Sequence, residues 1–211
     1  MKLTVFGPTG ATGEQIVRQA LALGYEVTTV ARRPEAVALT DPHLRVVRGD
    51  VQDPASLGEG IVGADAVLSA LGSRQANRPT TVYSTGTEAV LDAMREMGVR
   101  RFLGISAVPA EPEDQKSTLE RYLVHPLLHL FFGGGYDDMR RMEDLLAPSD
   151  RDWTVFRPPY LTNGGSTGRY RIALDSPLPR ARSVSRADLA AAMLAAVKDP
   201  ALIGHAVTIA V

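Results

Sequence analysis

The stretch Leu3-Thr-Val-Phe-Gly-Pro-Thr-Gly-Ala-Thr-Gly-Glu-Gln-Ile-Val-Arg-Gln-Ala-Leu-Ala-Leu-Gly24 reads as strand, glycine turn and helix. Leu3 to Phe6 is a short apolar run of β-formers that stops at Gly7. Ile16, Val17, Ala20 and Leu21 then recur at the spacing of one buried helical stripe, with Gly24 placed as the C-terminal cap. In a turn that holds a dinucleotide, each glycine has its own task. Gly7 permits the tight exit from the strand, Gly10 lets the backbone approach a pyrophosphate, and Gly13 lets the helix pack closely on the sheet. The anion then rests on the positive end of the helix. The spacing is G-x-x-G-x-x-G rather than G-x-G-x-x-G, and a glycine turn without a ligand would show the same letters. The strand and helix on either side favour the cofactor loop.

Outward from this unit, Tyr25 to Ala31 is a second β-rich run, and Arg32-Arg33 follows it before Pro34. Residues just past this strand face the adenosine ribose in a dinucleotide fold. An acid there would bind the ribose hydroxyls of NAD, whereas arginine offers a planar fork of donors to a 2′-phosphate. Glu26 lies too early in the strand to take that role. The expected cofactor is therefore NADP(H), the alternative being two arginines that decorate a surface loop.

Leu44 to Arg48 makes a third strand, closed by Gly49-Asp50-Val51, and Asp53-Pro54 opens a short helix. A fourth strand, Asp65 to Ala70, ends at Leu71-Gly72-Ser73-Arg74. The next helix has Pro79 near its first turn, carries Val82, Gly86, Ala89, Val90, Ala93, Met94 and Met97 on one stripe, and stops at Gly98. Arg101 to Ser106 is a fifth strand. This alternation predicts an α/β fold of Rossmann type, a doubly wound, mostly parallel sheet with helices on both faces. Ligands bind beyond the carboxyl ends of such strands.

Regularity breaks after Ser106. Val108 to Lys116 is polar, and Leu119 to Phe132 is apolar but interrupted by His125-Pro126, too short and broken to span a bilayer. It reads as a lid over an apolar substrate or as a helix that completes the core or meets a partner. After Gly133-Gly134-Gly135 come a helix from Tyr136 to Ala147 and a sixth strand, Trp153 to Arg157, ending at Pro158-Pro159-Tyr160. Arg169 to Leu174 suits a β-ribbon. Ser185 to Asp188 is a capping-box-like start to a last helix, and Ala206 to Val211 closes the sheet.

The 211 residues fit one domain, with a substrate-facing region built from the loops after residues 106 and 157. Lys and Arg number 23 against 24 Asp and Glu, so no charge footprint argues for nucleic acid or a membrane surface. With no cysteine, disulfides, thiolate metal sites and a cysteine nucleophile are absent, and the four histidines lack metal-ligand spacing. The N-terminus runs into the first strand without a signal-peptide pattern, which makes the cytoplasm the expected location. Oligomeric state is left open.

Together these segments resemble the short-chain dehydrogenase/reductase superfamily in its atypical, NmrA-like NAD(P)H-binding branch, and within it the biliverdin-IXβ (flavin) reductases. The likeness lies in the Gly7-to-Gly13 loop, Gly49-Asp50-Val51, Leu71-Gly72-Ser73-Arg74, Pro79-Thr80-Thr81-Val82, Ser106-Ala107, Pro158-Pro159, Thr167-Gly168-Arg169-Tyr170 and Ser185 to Leu189. It implies that Thr9, Ala11 and Thr12 line the pyrophosphate, that Arg32 (with Arg33) meets the 2′-phosphate, and that Asp50 and Val51 hold the adenine. It further implies that Ala70, Leu71, Gly72, Arg74 and Pro159 lie along the cofactor, with Ser106 beside the nicotinamide. Histidines of the flavin reductases are replaced here by Met139 and Tyr160, and Tyr160 is the candidate stacking surface for a substrate.

The superfamily's tyrosine and lysine four residues apart are answered by Tyr136 and Arg140, with Glu143 beyond them. A cation beside a phenol lowers its pKa from about 10. Arginine can do that but cannot relay its own proton. Alternatively Tyr136 merely opens a helix and Arg140 is a solvated charge. The expected function is an NADPH-dependent reductase passing hydride to a small conjugated acceptor such as a flavin, quinone or tetrapyrrole. The rival is an NADP(H)-binding regulator without turnover.

Overall fold

The computed structural model describes residues 1–73, 79–108 and 125–211, with backbone alone for 125–133. In chain order the elements are β1 (Lys2–Phe6), α1 (Ala11–Ala22), β2 (Glu26–Ala31), β3 (Leu44–Arg48), α2 (Gly58–Ile61), β4 (Ala66–Ser69), α3 (Ser84–Glu96), β5 (Arg101–Ile105), α4 (His125–Leu146), β6 (Asp152–Arg157), β7 (Tyr160–Thr162), β8 (Arg171–Leu174), β9 (Ser183–Ser185), α5 (Arg186–Ala196) and β10 (His205–Ala210). Eight strands form one sheet in the order β3-β2-β1-β4-β5-β6-β10-β8. Every pairing in it is parallel except β10 with β8, and β7 pairs with β9 in a separate parallel ribbon. The expected doubly wound sheet is thus found. The strand order reverses between β1 and β4, where such sheets open a crevice at their carboxyl ends.

Central strands of a parallel sheet are covered on both faces, which is why β1 is apolar almost throughout. Leu3 and Val5 join Ile16 and Val17 of α1 and Leu189 and Met193 of α5 on one face. Phe6 points the other way, into Val30, Val67, Phe102 and Met94 of α3. Thr4, buried at the centre, is satisfied because its hydroxyl donates to the Gly60 carbonyl at 2.6 Å. Arg101, at the amino end of β5, donates to the carbonyls of Ala196 (2.6 Å), Val197 (3.3 Å) and Asp152 (2.7 Å). It thereby caps the C-terminus of α5 and joins it to the sheet.

Two helices differ from their sequence expectation. Helix α3 starts at Ser84 rather than beside Pro79, because the Asp138 carboxylate accepts the backbone N–H groups of Tyr83 (2.8 Å) and Ser84 (3.4 Å) and fixes the first turn there. The helix expected to open at Tyr136 is instead the last part of α4, which runs unbroken from His125 through Gly133–Gly135. Pro126 falls in the first turn, where a missing N–H costs nothing. Glycine inside a helix is unfavourable by only about 1 kcal/mol against alanine, so packing can override it. The lid expectation falls partly on residues 109–124 and on side chains 125–133, outside the described residues.

The start of α5 bears out the cap read from sequence. The Ser185 hydroxyl accepts the Asp188 N–H at 2.9 Å. The buried Asp188 carboxylate accepts the N–H groups of Thr167 (2.7 Å) and Gly168 (2.9 Å) and the hydroxyls of Ser185 (2.9 Å) and Thr167 (3.0 Å). Burial acts to raise the Asp188 pKa, but the Gly168 and Thr167 amides and the two hydroxyls outweigh it, and the net shift is downward. A carboxyl lowered by folding stabilises above its unfolded pKa and loses that contribution as pH falls through the folded value. Asp188→Ala should therefore cost about 2 kcal/mol at neutral pH. The gap to wild type should stay flat above about pH 5 and close below about pH 4. Urea midpoints measured against pH check this, and a gap unchanged at pH 3 would show that the charge does not hold the loop.

Candidate functional site

At the carboxyl end of β1 the chain turns on Gly7, whose φ is +72°. A Cβ there would lie 2.3 Å from the Ala70 carbonyl oxygen, so β1 and the exit from β4 approach as closely as backbone allows. The Gly10 N–H donates to the Gly7 carbonyl at 3.1 Å, and Gly10 caps α1 without a side chain. The helix therefore presents its first turn, Ala11 to Gly13, with the positive end of its dipole open to an anion. A Cβ on Gly13 would stand 2.1 Å from the Gly7 oxygen. What Gly13 packs against is thus the loop itself, a closer neighbour than the sheet surface expected from the sequence.

The loop forms one wall of a cleft of about 740 Å³ whose lining includes Gly7, Thr9, Gly10, Arg32, Arg33, Asp50, Val51, Ala70, Leu71 and Gly72. Clefts of this size hold dinucleotide-sized ligands. Arg32 and Arg33 are exposed on its rim, and no described carboxylate pairs with either. Glu26 sits at the far end of β2, beside Lys2 at 3.7 Å. Asp50 has one oxygen committed to its own turn, accepting the Gln52 N–H at 3.0 Å. On α3, Gly86 leaves room for two lining residues, since a Cβ there would lie 3.1 Å from Leu71 Cδ1 and 3.2 Å from Val51 Cγ2. A smaller hollow of about 310 Å³ lies at the opposite, amino edge of the strands, away from this chemistry.

Of the other expected cofactor residues, Ala11, Thr12 and Gly13 follow the lining residue Gly10 in the first turn of α1 without being on the lining themselves, and Arg74 lies outside the described residues. Ser106 and Pro159 are not on the lining. Ser106 follows β5, and its N–H extends the ladder by donating to the Phe156 carbonyl at 2.8 Å. By alternation it faces the same side as Phe102 and Gly104, the side packed with α3 and α4. It is 2 % exposed, and its hydroxyl has no hydrogen-bond partner among the described residues. Buried hydroxyls without partners are uncommon.

Tyr136 and Arg140 are both half-buried on α4. The Tyr136 pKa is raised, first by burial and then by the neighbouring Tyr83. This corrects the expectation that Arg140 draws the phenol towards tyrosinate: removal from water dominates, and the hydroxyl keeps its proton at neutral pH. Tyr83 behaves alike. Burial raises its pKa, the Ser73 N–H partly offsets this, and the Asp138 charge adds to the rise. Glu143 is engaged with Arg157 at the end of β6 in a nearly buried pair, with Arg157 Nε 3.1 Å from both carboxylate oxygens. The pair fixes α4 on the sheet. Tyr160, 73 % exposed at the start of β7, stands in the open beyond Pro158-Pro159.

Sequence reading missed Tyr83 and Asp138. The Tyr83 hydroxyl accepts the Ser73 N–H at 3.4 Å, and Asp138 is 0 % exposed. Only the spacing of Asp138 and Arg141 on one helix face could have hinted at their ion pair.

Comparison with known proteins agrees with this geometry. The profile of the NAD(P)H-binding family matches residues 7–200. An uncharacterised chloroplastic protein of Arabidopsis thaliana is 33 % identical over 176 residues, covering 79 % of this chain and 61 % of its own length. The photosystem II assembly factor of Cyanophora paradoxa is 29 % identical over 161 residues, covering 74 % of this chain and 44 % of that protein. The chain thus spans roughly half the length of these curated relatives. Among solved structures, a Bacteroides thetaiotaomicron protein described as an epimerase candidate superposes with a TM-score of 0.82 at 28 % identity, covering 99 % of this chain and 96 % of that one. A wide-type short-chain dehydrogenase/reductase of Veillonella parvula, solved with NADP, shares the fold with a TM-score of 0.78 at 16 % identity, covering 100 % and 94 %. The chloroplastic relative gives no support to a cytoplasmic location, and no helix among the described residues is long and apolar enough to cross a membrane. With a profile match over residues 7–200, which take in the glycine loop and the other walls of the cleft, the chain belongs to the NAD(P)H-binding family.

Proposed function

We propose that the protein is an NADPH-dependent reductase that passes hydride to a small conjugated acceptor such as a flavin, quinone or tetrapyrrole. The observation that carries this reading is the glycine-loop cleft of about 740 Å³ with Arg32 and Arg33 exposed on its rim; the buried Ser106 hydroxyl, without a partner among the described residues, follows β5 at the same edge of the sheet. The cleft residues fit the cofactor: α1 offers an open N-terminus, Gly10 adds no side chain, and Arg32 and Arg33 offer donors to a 2′-phosphate. Bound NADPH supplies the hydride. Ser106 donates a hydrogen bond to the acceptor atom on which negative charge develops. Tyr136, kept protonated by burial, can provide the proton that completes the reduction, and water can do so for a flavin. Tyr160 offers an exposed ring on which a planar acceptor stacks.

Ser106→Ala should slow turnover ten- to a hundredfold, roughly 1 to 3 kcal/mol of transition-state stabilisation, with NADPH affinity little changed. Tyr136→Phe should cost less with flavins and quinones and more with a carbonyl substrate. A screen of NADPH oxidation against flavins, quinones and aldehydes tests the reading on wild type and both variants. A second reading has one specific observation in its favour, since relatives 29 % identical over about three-quarters of this chain are named as photosystem II assembly factors. In that reading the protein binds NADP(H) to regulate a partner. Tight NADPH binding with no oxidation by any acceptor would establish it over the reductase.

A further inference from the structure

The parts of the cleft formed by residues 70–73 and 79–83 belong to neither strand nor helix. Only at their ends do they join a backbone ladder, Ala70 by donating to the Phe6 carbonyl and Thr81 and Tyr83 by accepting the Thr85 and Thr87 N–H groups, so the stretches between need some other anchor. Helix α3, which follows them, has no side-chain cap of its own and no acidic residue in its first turn. Both needs are met by a residue of α4.

We propose that Asp138 is the positioning residue that ties both irregular walls of the cleft to helix α4, and that NADP(H) affinity depends on it although it does not line the cleft. The inference rests on reading the cleft as the NADP(H) site. Asp138 Oδ2 accepts the N–H of Tyr83 at 2.8 Å and of Ser84 at 3.4 Å, while Oδ1 accepts the Ser84 hydroxyl and the Arg141 guanidinium, the latter at 3.2 Å. A buried carboxylate with this many donors is a fixed point, and its charge complements the positive end of α3. The same Arg141 nitrogen donates to the Thr80 carbonyl at 3.2 Å, and Tyr83, held at its backbone, accepts the Ser73 N–H with its hydroxyl. Thr80 and Ser73 both line the cleft, on opposite sides of the undescribed segment 74–78. Asp138 also lies between Tyr136 and Arg140 on its helix, so one contact sets the cleft walls and the candidate proton donor in a common frame.

The test is NADPH titration by fluorescence, thermal unfolding and amide exchange on Asp138→Ala, with Asp188→Ala as a destabilised comparison on the opposite face of the sheet. Asp138→Ala should weaken NADPH at least about tenfold, within the usual range of coupling between sites. It should also quicken exchange at the Tyr83 and Ser84 amides. Asp138→Asn, which keeps an acceptor oxygen for Tyr83, should recover part of the affinity. Asp188→Ala should lose a similar amount of Tm and keep wild-type affinity. If Asp138→Ala does not fold, Ser84→Ala carries the test, with affinity about two- to fivefold weaker for one lost hydrogen bond. Unchanged NADPH affinity in the variant tested, or an equal loss in Asp188→Ala, overturns the proposal. A wild-type protein that binds no NADPH overturns the reading of the cleft and the proposal with it.

Discussion

One methyl group at position 13 is expected to remove NADPH binding and a large part of the stability margin together. The Cβ of Gly13→Ala would stand 2.1 Å from the Gly7 carbonyl oxygen and 2.8 Å from its carbon, both backbone atoms. No side chain can swing away to relieve the overlap. Either α1 moves off its loop or the loop moves off β4, where Gly7 is already as close to Ala70 as a residue without Cβ can be. Overpacking of a rigid site costs about 3 kcal/mol, a large part of a margin of roughly 5 to 15 kcal/mol. Gly10 gives the contrast, because its Cβ would meet only the Gly7 oxygen at 3.4 Å. Gly10→Ala should leave Tm within a few degrees of wild type, and Gly10→Val should fold but lose NADPH, since its side chain would fill the approach to the helix N-terminus. Thermal unfolding with and without NADPH separates the two positions. Normal NADPH binding by the Gly10→Val protein would show that the loop is not a phosphate cradle.

The second large effect is expected in the choice between NADPH and NADH. Arg32 and Arg33 follow β2 at the cleft rim, and the nearest described ion pair, Arg48 with Glu35 at 4.0 Å, leaves both unengaged. Guanidinium groups not tied to a carboxylate keep their donors for an incoming phosphate. Replacing Arg32 by aspartate removes a charge-assisted contact and adds repulsion. The combined swing in relative affinity is about 3 kcal/mol or more, over a hundredfold in Kd. Fluorescence titrations of wild type and Arg32→Asp with both cofactors measure it, and the effect should shrink at high salt because the site is exposed. Equal affinity of the wild type for the two cofactors would remove the 2′-phosphate from the reading.

What could be read in the sequence follows from how local the cause is. The strand, glycine turn and helix from Leu3 to Gly24 carry their own periodicity and caps, and the structure has them in place. The same holds for Ser185 and Asp188, whose bond closes within one helical turn. The start of α3 could not be read, because its cap is Asp138, 54 residues further along the chain than Ser84. Nor could α4, where three glycines give a local stop signal that packing overrides. The burial that holds the Tyr136 proton is likewise a property of the assembled fold, whereas the i to i+4 spacing of Arg140 suggested the opposite.

The far edge of the sheet has a consequence for how the protein is made. Strand β8 finds its pairing partner in β10, which is translated later, and β10 must also seat itself against β6. A nascent chain emerging amino end first, at about 5 to 20 residues per second, therefore passes through an interval in which β6 and β8 both wait with unsatisfied backbone edges. Ile172 and Leu174 on β8 remain partly exposed even in the finished fold. In that interval the growing chain is open to pairing with a neighbouring copy on the same polysome, so the arrival of His205 to Ala210, which pairs with both strands, is the step that completes the sheet within one chain.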